Sequence, residues 1–488
     1  MNENGHVRIA IVGAGFSGLG MAIRLKQAGI EDFAILERAD DLGGTWRDNT
    51  YPGCACDVPS HLYSYSFERN PDWGRLFSPQ AEILDYLRRC AHKYDVVRHI
   101  RFGHELLESR WDEESRVWRG RTNHGEFSSD IAISAVGGLT EPSIPDLPGL
   151  DRFAGESFHS ARWNHDHDLR GRRVAVIGTG ASSAQFVPEI QPQVDRLVLF
   201  QRTPPWVLPR GDRASSALER ALLRRLPLAQ RAARGGIFAI FESATPGFLG
   251  NHTLHGLLEN AARRHLRRQV PERELRRKLR PDYRIGCKRI VLADNWYPAL
   301  RRPNVDVVTD GIAEARERSI VTTEGAEHEV DTIIFGTGFR IWDQPNLRRM
   351  RGPDGRTVAE AWDGFPQAYL GTAIAGFPNL FMLVGPNTGQ GNNSLINMVE
   401  GQIGYVVDAL RVMERHRATR VEVRREVQEA FNAELQARHE DTVWTAGGCH
   451  SWYLTPDGHN PTIWPGWTLD YRRRTRRFRD RDYELSAA

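Results

Sequence analysis

The chain has 488 residues, too many for one compact core at roughly 100–200 residues per domain, so two or three domains are expected. Its 65 Lys+Arg against 62 Asp+Glu leave a net charge of +3, which excludes a global basic field suited to nucleic acid. No apolar run approaches the ~18 residues of a membrane span, and the polar start Met1-Asn-Glu-Asn-Gly-His6 reads as neither a secretory signal nor a transit peptide. Five cysteines are too few and too scattered for a disulfide framework, so a soluble protein of a reducing cytoplasm is expected, with no metal site.

Residues 7–12, Val-Arg-Ile-Ala-Ile-Val, predict a strand and residues 19–28 a helix. Between them Gly13-Ala-Gly15-Phe-Ser17-Gly18 has the spacing of a dinucleotide loop. Gly13 permits a tight turn, Gly15 lets a pyrophosphate approach the backbone, and Gly18 lets the helix pack closely on the strand. The helix N-terminus then faces the phosphates. A second strand, 33–36, ends in Glu37, 19 residues past Gly18, where an acid accepts a ribose hydroxyl and favours an unphosphorylated ribose. The stretch Gly43-Gly44-Thr45-Trp46-Arg-Asp-Asn-Thr-Tyr51-Pro-Gly-Cys54-Ala-Cys56-Asp57 is a Gly- and Pro-dense loop with aromatic anchors. Cys54 and Cys56 lack the two-residue spacing of a redox pair and read as packing residues.

A connection carrying Phe153-x-Gly155-x-x-x-His159-x-x-x-Trp163 leads to a strand at 173–177 and a second loop, Gly178-Thr-Gly180-Ala181-Ser182-Ser183. Here Ser183 replaces the third glycine by a residue still small enough for helix to approach strand. The next strand, 196–200, ends in Gln201-Arg202-Thr203 where the first half has an acid. A guanidinium pairs with a 2′-phosphate that an acid would repel, so this half is expected to prefer NADPH to NADH. Residues 213–282 read as a helical insertion with arginine pairs such as Arg224-Arg225 and Arg263-Arg264. Solvated helix faces are the favoured reading there, and peripheral membrane contact is not favoured. Residues 329–339 predict a buried strand entering a glycine turn, taken as the return of the chain to the first domain. Residues 383–389 lead into a helix from about Ser394 to Val412, whose first amides face a ligand. The basic tail 471–478 is discounted as a nucleic-acid site because no matching basic surface accompanies it.

The two loops bracketing 153–163, the loop 43–57 and the segment Ile285-Gly-Cys287-Lys288-Arg289-Ile-Val-Leu292 together resemble the type I Baeyer–Villiger monooxygenases, in the expected order from residue 7 to about 478. The resemblance implies an α/β fold of two Rossmann-like dinucleotide-binding domains, for FAD and NADPH, with the helical insertion in the NADPH domain. Residues 1–150 would open the FAD domain, 151–212 and 283–328 would form the NADPH domain around the insertion 213–282, and 329–488 would complete the FAD domain and add the tail. The same resemblance implies FAD at Gly13, Gly15, Ser17, Gly18, Glu37, Gly44, Thr45, Trp46, Asp57 and Leu106. It implies NADPH at Gly178, Gly180, Ala181, Ser182, Ser183, Arg202, Thr203, Lys288 and Trp452, and assigns His159 and Trp163 to a hinge that couples the two. The implied reaction inserts one oxygen of O2 beside a ketone carbonyl, giving an ester or lactone. In such chemistry a peroxyflavin must stay anionic, and Arg289 would stabilise it while Asp57 holds the guanidinium. Arginine suits this because it keeps its proton when buried, whereas lysine can lose it. Two residues depart from the family pattern: Asn164, where Pro or Asp is usual, and Asn392, where His is frequent.

The alternatives are of other classes. A related flavin monooxygenase oxidising nitrogen or sulfur needs no arginine, so Asp57 and Arg289 argue against that as the sole activity. A disulfide oxidoreductase would need a CxxC pair, which the chain lacks. A non-catalytic flavin-binding or membrane-associated protein would be built around the insertion. The particular ketone and the oligomeric state are left open by the sequence.

Overall fold

The structure is a computed structural model and describes residues 5–487. The first β-branched run forms β1 (His6–Val12), flanked by β2 (Phe33–Leu36) with β3 (Ile100–Arg101) beyond it, all parallel. On the other side β4 (Leu106–Asp112) and β5 (Val117–Thr122) form an antiparallel meander that reaches β1 through β6 (Gly125–Ser134). The short strands Met350–Arg351 and Leu380–Met382 return from far along the chain to pair with β4 and β6, completing eight strands. Every residue of β2 is buried, as expected of a parallel strand covered on both faces.

Helix α1 (Phe16–Gln27) begins three residues earlier than predicted. The prediction left out the first three residues, Phe16 to Gly18, but nine residues of the helix are buried and that packing outweighs the poor helix propensity of its glycines. Two further helices follow, α2 (Thr45–Asp48) inside the Gly-rich loop and α3 (Gln80–Lys93).

The second sheet holds β7 (Glu156–His159), β8 (Arg173–Ile177) and β9 (Arg196–Phe200) with the strands Val305–Val308 and Thr332–Phe335, all parallel. Strand 332–335 was expected to mark the return to the first domain, and this needs correcting: it lies between β8 and β7. Its register is fixed by Arg173, whose backbone N–H (2.9 Å) and Nη2 (2.8 Å) both bind the Asp331 carboxylate. Only afterwards does the chain reach the first sheet, at Met350. A small antiparallel sheet, Ile312–Arg316, Ser319–Thr322 and Glu327–Glu329, closes one face, with Ala315 and Ile320 sharing a core with Ala175, Ile177, Val198 and Phe200.

Helix α4 (Ala181–Ile190) follows the second loop. The insertion is helical: α5 (Ala217–Arg225), α6 (Pro227–Ser243), α7 (Thr245–Phe248), α8 (His252–Gln269) and α9 (Arg273–Lys278). The long helix predicted near 394–412 spans Leu395–His416 and ends where Arg417 turns left-handed at φ +51°. Among the described residues no helix is long and apolar enough to cross a membrane.

The reading of the cysteines also needs correction. Cys287 and Cys449, 162 residues apart, form a disulfide, while Cys54, Cys56 and Cys90 are free and buried. The pairing is tertiary: Cys287 lies in a cluster with Phe248, Tyr283, Trp444 and Tyr453, where insertion and C-terminal loop meet. Burial pushes the Cys54 thiol up to about 12, which suits a packing role.

Candidate active site

The first dinucleotide loop is tight enough to explain its glycines. A Cβ on Gly18 would lie 1.9 Å from the Gly13 carbonyl oxygen, and Gly13 itself sits at φ +106°. The α carbons of Gly15 and Gly44 face each other so closely that a Cβ on Gly44 would come within 3.1 Å of Gly15. Helix α1 has no side-chain cap and no acid in its first turn, so its leading amides are left for an anionic group, with buried Ser17 alongside. These features fit a dinucleotide diphosphate. Glu37 is buried and already engaged: Oε2 accepts from Ala14 N–H (2.9 Å), and Oε1 from Ala39 N–H (3.0 Å) and Arg47 Nη1 (2.8 Å). It therefore stiffens the loop.

Gly44 precedes α2, which carries Thr45 and the buried Trp46. The Trp46 indole donates to the Tyr63 hydroxyl at 3.1 Å with the rings edge to face, a wall the sequence reading missed because nothing local links the two. Leu106, in β4, packs its side chain in the core, and its carbonyl accepts from Arg349 Nη1 at 2.7 Å.

The loop ends at Asp57, and Arg289, 232 residues later, reaches it with Nε at 2.8 Å. Nη1 of Arg289 donates to the carbonyls of Gln390 (2.9 Å) and Gly391 (3.4 Å). Burial opposes the charge on each partner, but the pairing overrides it. The Asp57 carboxyl is held below its ordinary range and the Arg289 guanidinium above its own. Both side chains stay about 30% exposed, so the fixed charge is not sealed off. Beside Arg289 lies buried Tyr453, pushed up to about 12 by burial and passed over in the sequence. Its neighbour Trp452, the residue singled out instead, is 53% exposed and touches Tyr453 edge to face.

The second loop repeats the first with one exchange. Ser183 is fully buried, and a Cβ on the facing Gly336 would lie 2.0 Å from its Oγ. The opposing strand thus supplies the glycine that the loop lacks. Gly178 sits at φ +105°, Gly180 begins α4 without a side-chain cap, and no acid occupies the first turn with Ala181 and Ser182. Thr203 offers its carbonyl to the Thr179 hydroxyl at 3.0 Å. Lys288 lies over the Tyr283 ring at 5.2 Å, its pKa lowered by burial and by neighbouring Arg202. Two cations held this close suit a phosphate dianion. Gln185 of α4 then ties this half to the loop 43–57, accepting from Tyr51 OH (3.0 Å) and donating to Ala55 O (2.9 Å).

His159 is buried, accepts from Ala161 N–H at 3.1 Å and packs edge to face on Phe339, while Trp163 packs on Phe158 and Phe186. Burial lowers His159 to about 4, and His439 likewise. In the unfolded chain each titrates near 6.5, so between these values the unfolded state binds more protons. Melting temperature is therefore expected to hold above pH 6.5 and to fall as pH drops toward 4. Scanning calorimetry across that window checks this, and a flat profile would contradict it.

One mixed and one parallel sheet, each with an uncapped, glycine-lined helix start, joined at an arginine–aspartate pair, define a flavoprotein of the two-dinucleotide class. The flavin-binding monooxygenase-like family model matches residues 6–231. A Baeyer–Villiger monooxygenase of Streptomyces coelicolor is 50% identical over 481 residues, 98% of this chain and 93% of that protein. One of Pseudomonas aeruginosa is 50% identical, over 99% and 92% respectively. The crystal structure of an oxidized steroid monooxygenase bound to NADP superposes with a TM-score of 0.87 at 30% identity, covering 99% of this chain and all of that one. The chain belongs to the type I Baeyer–Villiger monooxygenases. It is an NADPH-dependent flavin monooxygenase, with FAD as its flavin and a small molecule as its substrate.

Proposed function

We propose that the enzyme inserts one atom of O2 beside a ketone carbonyl to give an ester or lactone, with Arg289 as its catalytic residue and Asp57 as the partner that holds it. The observation carrying this is the 2.8 Å pair itself, in which a guanidinium is fixed on three sides yet remains part-exposed. FAD, when bound, takes up two electrons from NADPH and passes them to O2. Arg289 holds a permanent positive charge for the negative oxygen that must attack a carbonyl, and a charge fixed in advance needs no reorganisation when the reaction occurs. Asp57 keeps that charge from swinging away, and Trp46 with Tyr63 walls the same loop. Residues 1–150 and the chain after about 340 make up the FAD half, with Gly13, Gly15, Gly18 and Gly44 admitting its diphosphate. Gly178, Gly180 and Ser183 admit the NADPH diphosphate.

Arg202 and Lys288 bind the 2′-phosphate in this reading. Replacing both with alanine is expected to raise KM for NADPH by about 100-fold while leaving that for NADH nearly unchanged. Equal losses with both nucleotides would remove the assignment. The reaction is tested by mass spectrometry of products from holoenzyme, NADPH and labelled O2 with a ketone panel and a thioether. Ester or lactone carrying one labelled atom supports the proposal; sulfoxide alone would move the enzyme to heteroatom oxidation.

A further inference from the structure

One helix of the insertion, α6, grips both segments that form the site. Buried Arg234 donates from Nη1 to the carbonyls of His61 (2.9 Å), Leu62 (3.2 Å) and Ser64 (2.9 Å), clasping the turn that presents Tyr63 to Trp46. Roughly two turns further along, Glu242 is 4% exposed; Oε2 accepts from Asn393 Nδ2 (2.9 Å) and Oε1 from Leu469 N–H (3.1 Å). Asn393 Nδ2 also reaches Thr468 Oγ1 (3.2 Å), and that hydroxyl donates to Gln390 Oε1 (3.4 Å). Asn392, the departure from the family pattern, donates to Phe241 O and Thr245 Oγ1, both at 2.9 Å. The segment 390–393 is therefore fastened to α6 on one side and offers its carbonyls to Arg289 on the other. Gly391 is pressed beneath Trp444, where a Cβ would come within 2.7 Å of the indole.

We propose that Glu242 is a positioning residue for Arg289, acting through Asn393, Thr468 and Gln390, so that the helical insertion sets the direction of the active-site charge. This rests on the proposed catalytic role of Arg289. Buried groups that accept on both oxygens and join three chain segments hold geometry better than a loop alone, because each lost bond strands a buried partner.

Glu242→Gln and Thr468→Val test it in the full-length FAD-loaded enzyme. The first turns one acceptor into a donor facing donors; the second removes one hydroxyl and keeps the shape. Hydrogen–deuterium exchange of the peptide 388–398 is expected to quicken about tenfold in Glu242→Gln, with β1 unchanged. Ketone product per NADPH consumed is expected to fall about tenfold, the balance appearing as hydrogen peroxide, while KM for NADPH changes less than about twofold. Thr468→Val gives the same pattern in smaller degree, and decides the matter alone should Glu242→Gln fail to fold. Faster exchange with an unchanged product share would make the network a structural brace only and overturn the proposal, as would no change in either. If the parent enzyme oxygenates no ketone, the proposed reaction fails separately. The positioning link is then judged by a crystal structure of Thr468→Val, where an Arg289–Gln390 contact still at 2.9 Å would reject it.

Discussion

Arg289→Ala is expected to lower kcat for ketone oxygenation by about 10²–10³-fold or more, the usual cost of removing a charge-stabilising group from a preorganised site. NADPH consumption should continue and end in hydrogen peroxide, because nothing in the nucleotide loops depends on this side chain: its partners are Asp57, Gln390 and Gly391. Arg289→Lys should recover little. A single ammonium on a flexible stem cannot hold Asp57 through one nitrogen and two carbonyls through another, and burial lowers its charge. Asp57→Ala is a useful companion, since it leaves the guanidinium part-buried without its carboxylate and should impair oxygenation without abolishing FAD binding. Stopped assays that measure product and peroxide together check all three. Parent-level product from Arg289→Ala would show that this arginine is not catalytic.

Gly18→Ala is expected to yield protein with little or no FAD, seen as loss of yellow colour and a lowered melting temperature. The added methyl would meet the Gly13 carbonyl at 1.9 Å, and that is backbone, unable to step aside as a side chain tip would. Opening the loop to admit it displaces the amides of α1 from the diphosphate. Gly235→Ala serves as control. It lies exposed in α6 with no atom within 4 Å of the added Cβ, so it should stabilise by about 0.5–1 kcal/mol and leave the flavin untouched. Equal FAD content in both variants would contradict the argument.

Features carried by a few adjacent residues were legible in the sequence. The loop at 13–18 and the strands 33–36, 173–177 and 196–200 were readable because glycine spacing and β-branched runs act locally. The partners that complete the site were not. Gln390 and Gly391 contribute backbone carbonyls, which every residue has, so no residue type announces them. Tyr63 and Tyr453 matter through contacts that only the fold creates. The sheet to which 332–335 belongs depends on Asp331 finding Arg173, 158 residues away. One signal was present and unused: a helix start with Ser183 in place of glycine calls for a glycine opposite, and Gly336 supplies it.

The bond between Cys287 and Cys449 gives the molecule two durabilities. A crosslink spanning 162 residues restricts the unfolded chain by roughly 5 kcal/mol in the chain-entropy picture. It also moors the strip of backbone bearing Lys288 and Arg289 to the one bearing Tyr453, at a point where the Cys449 end is only half-buried. A thiol reductant can therefore approach from that end, and the resistance of this enzyme to unfolding becomes a property of its surroundings as much as of its sequence.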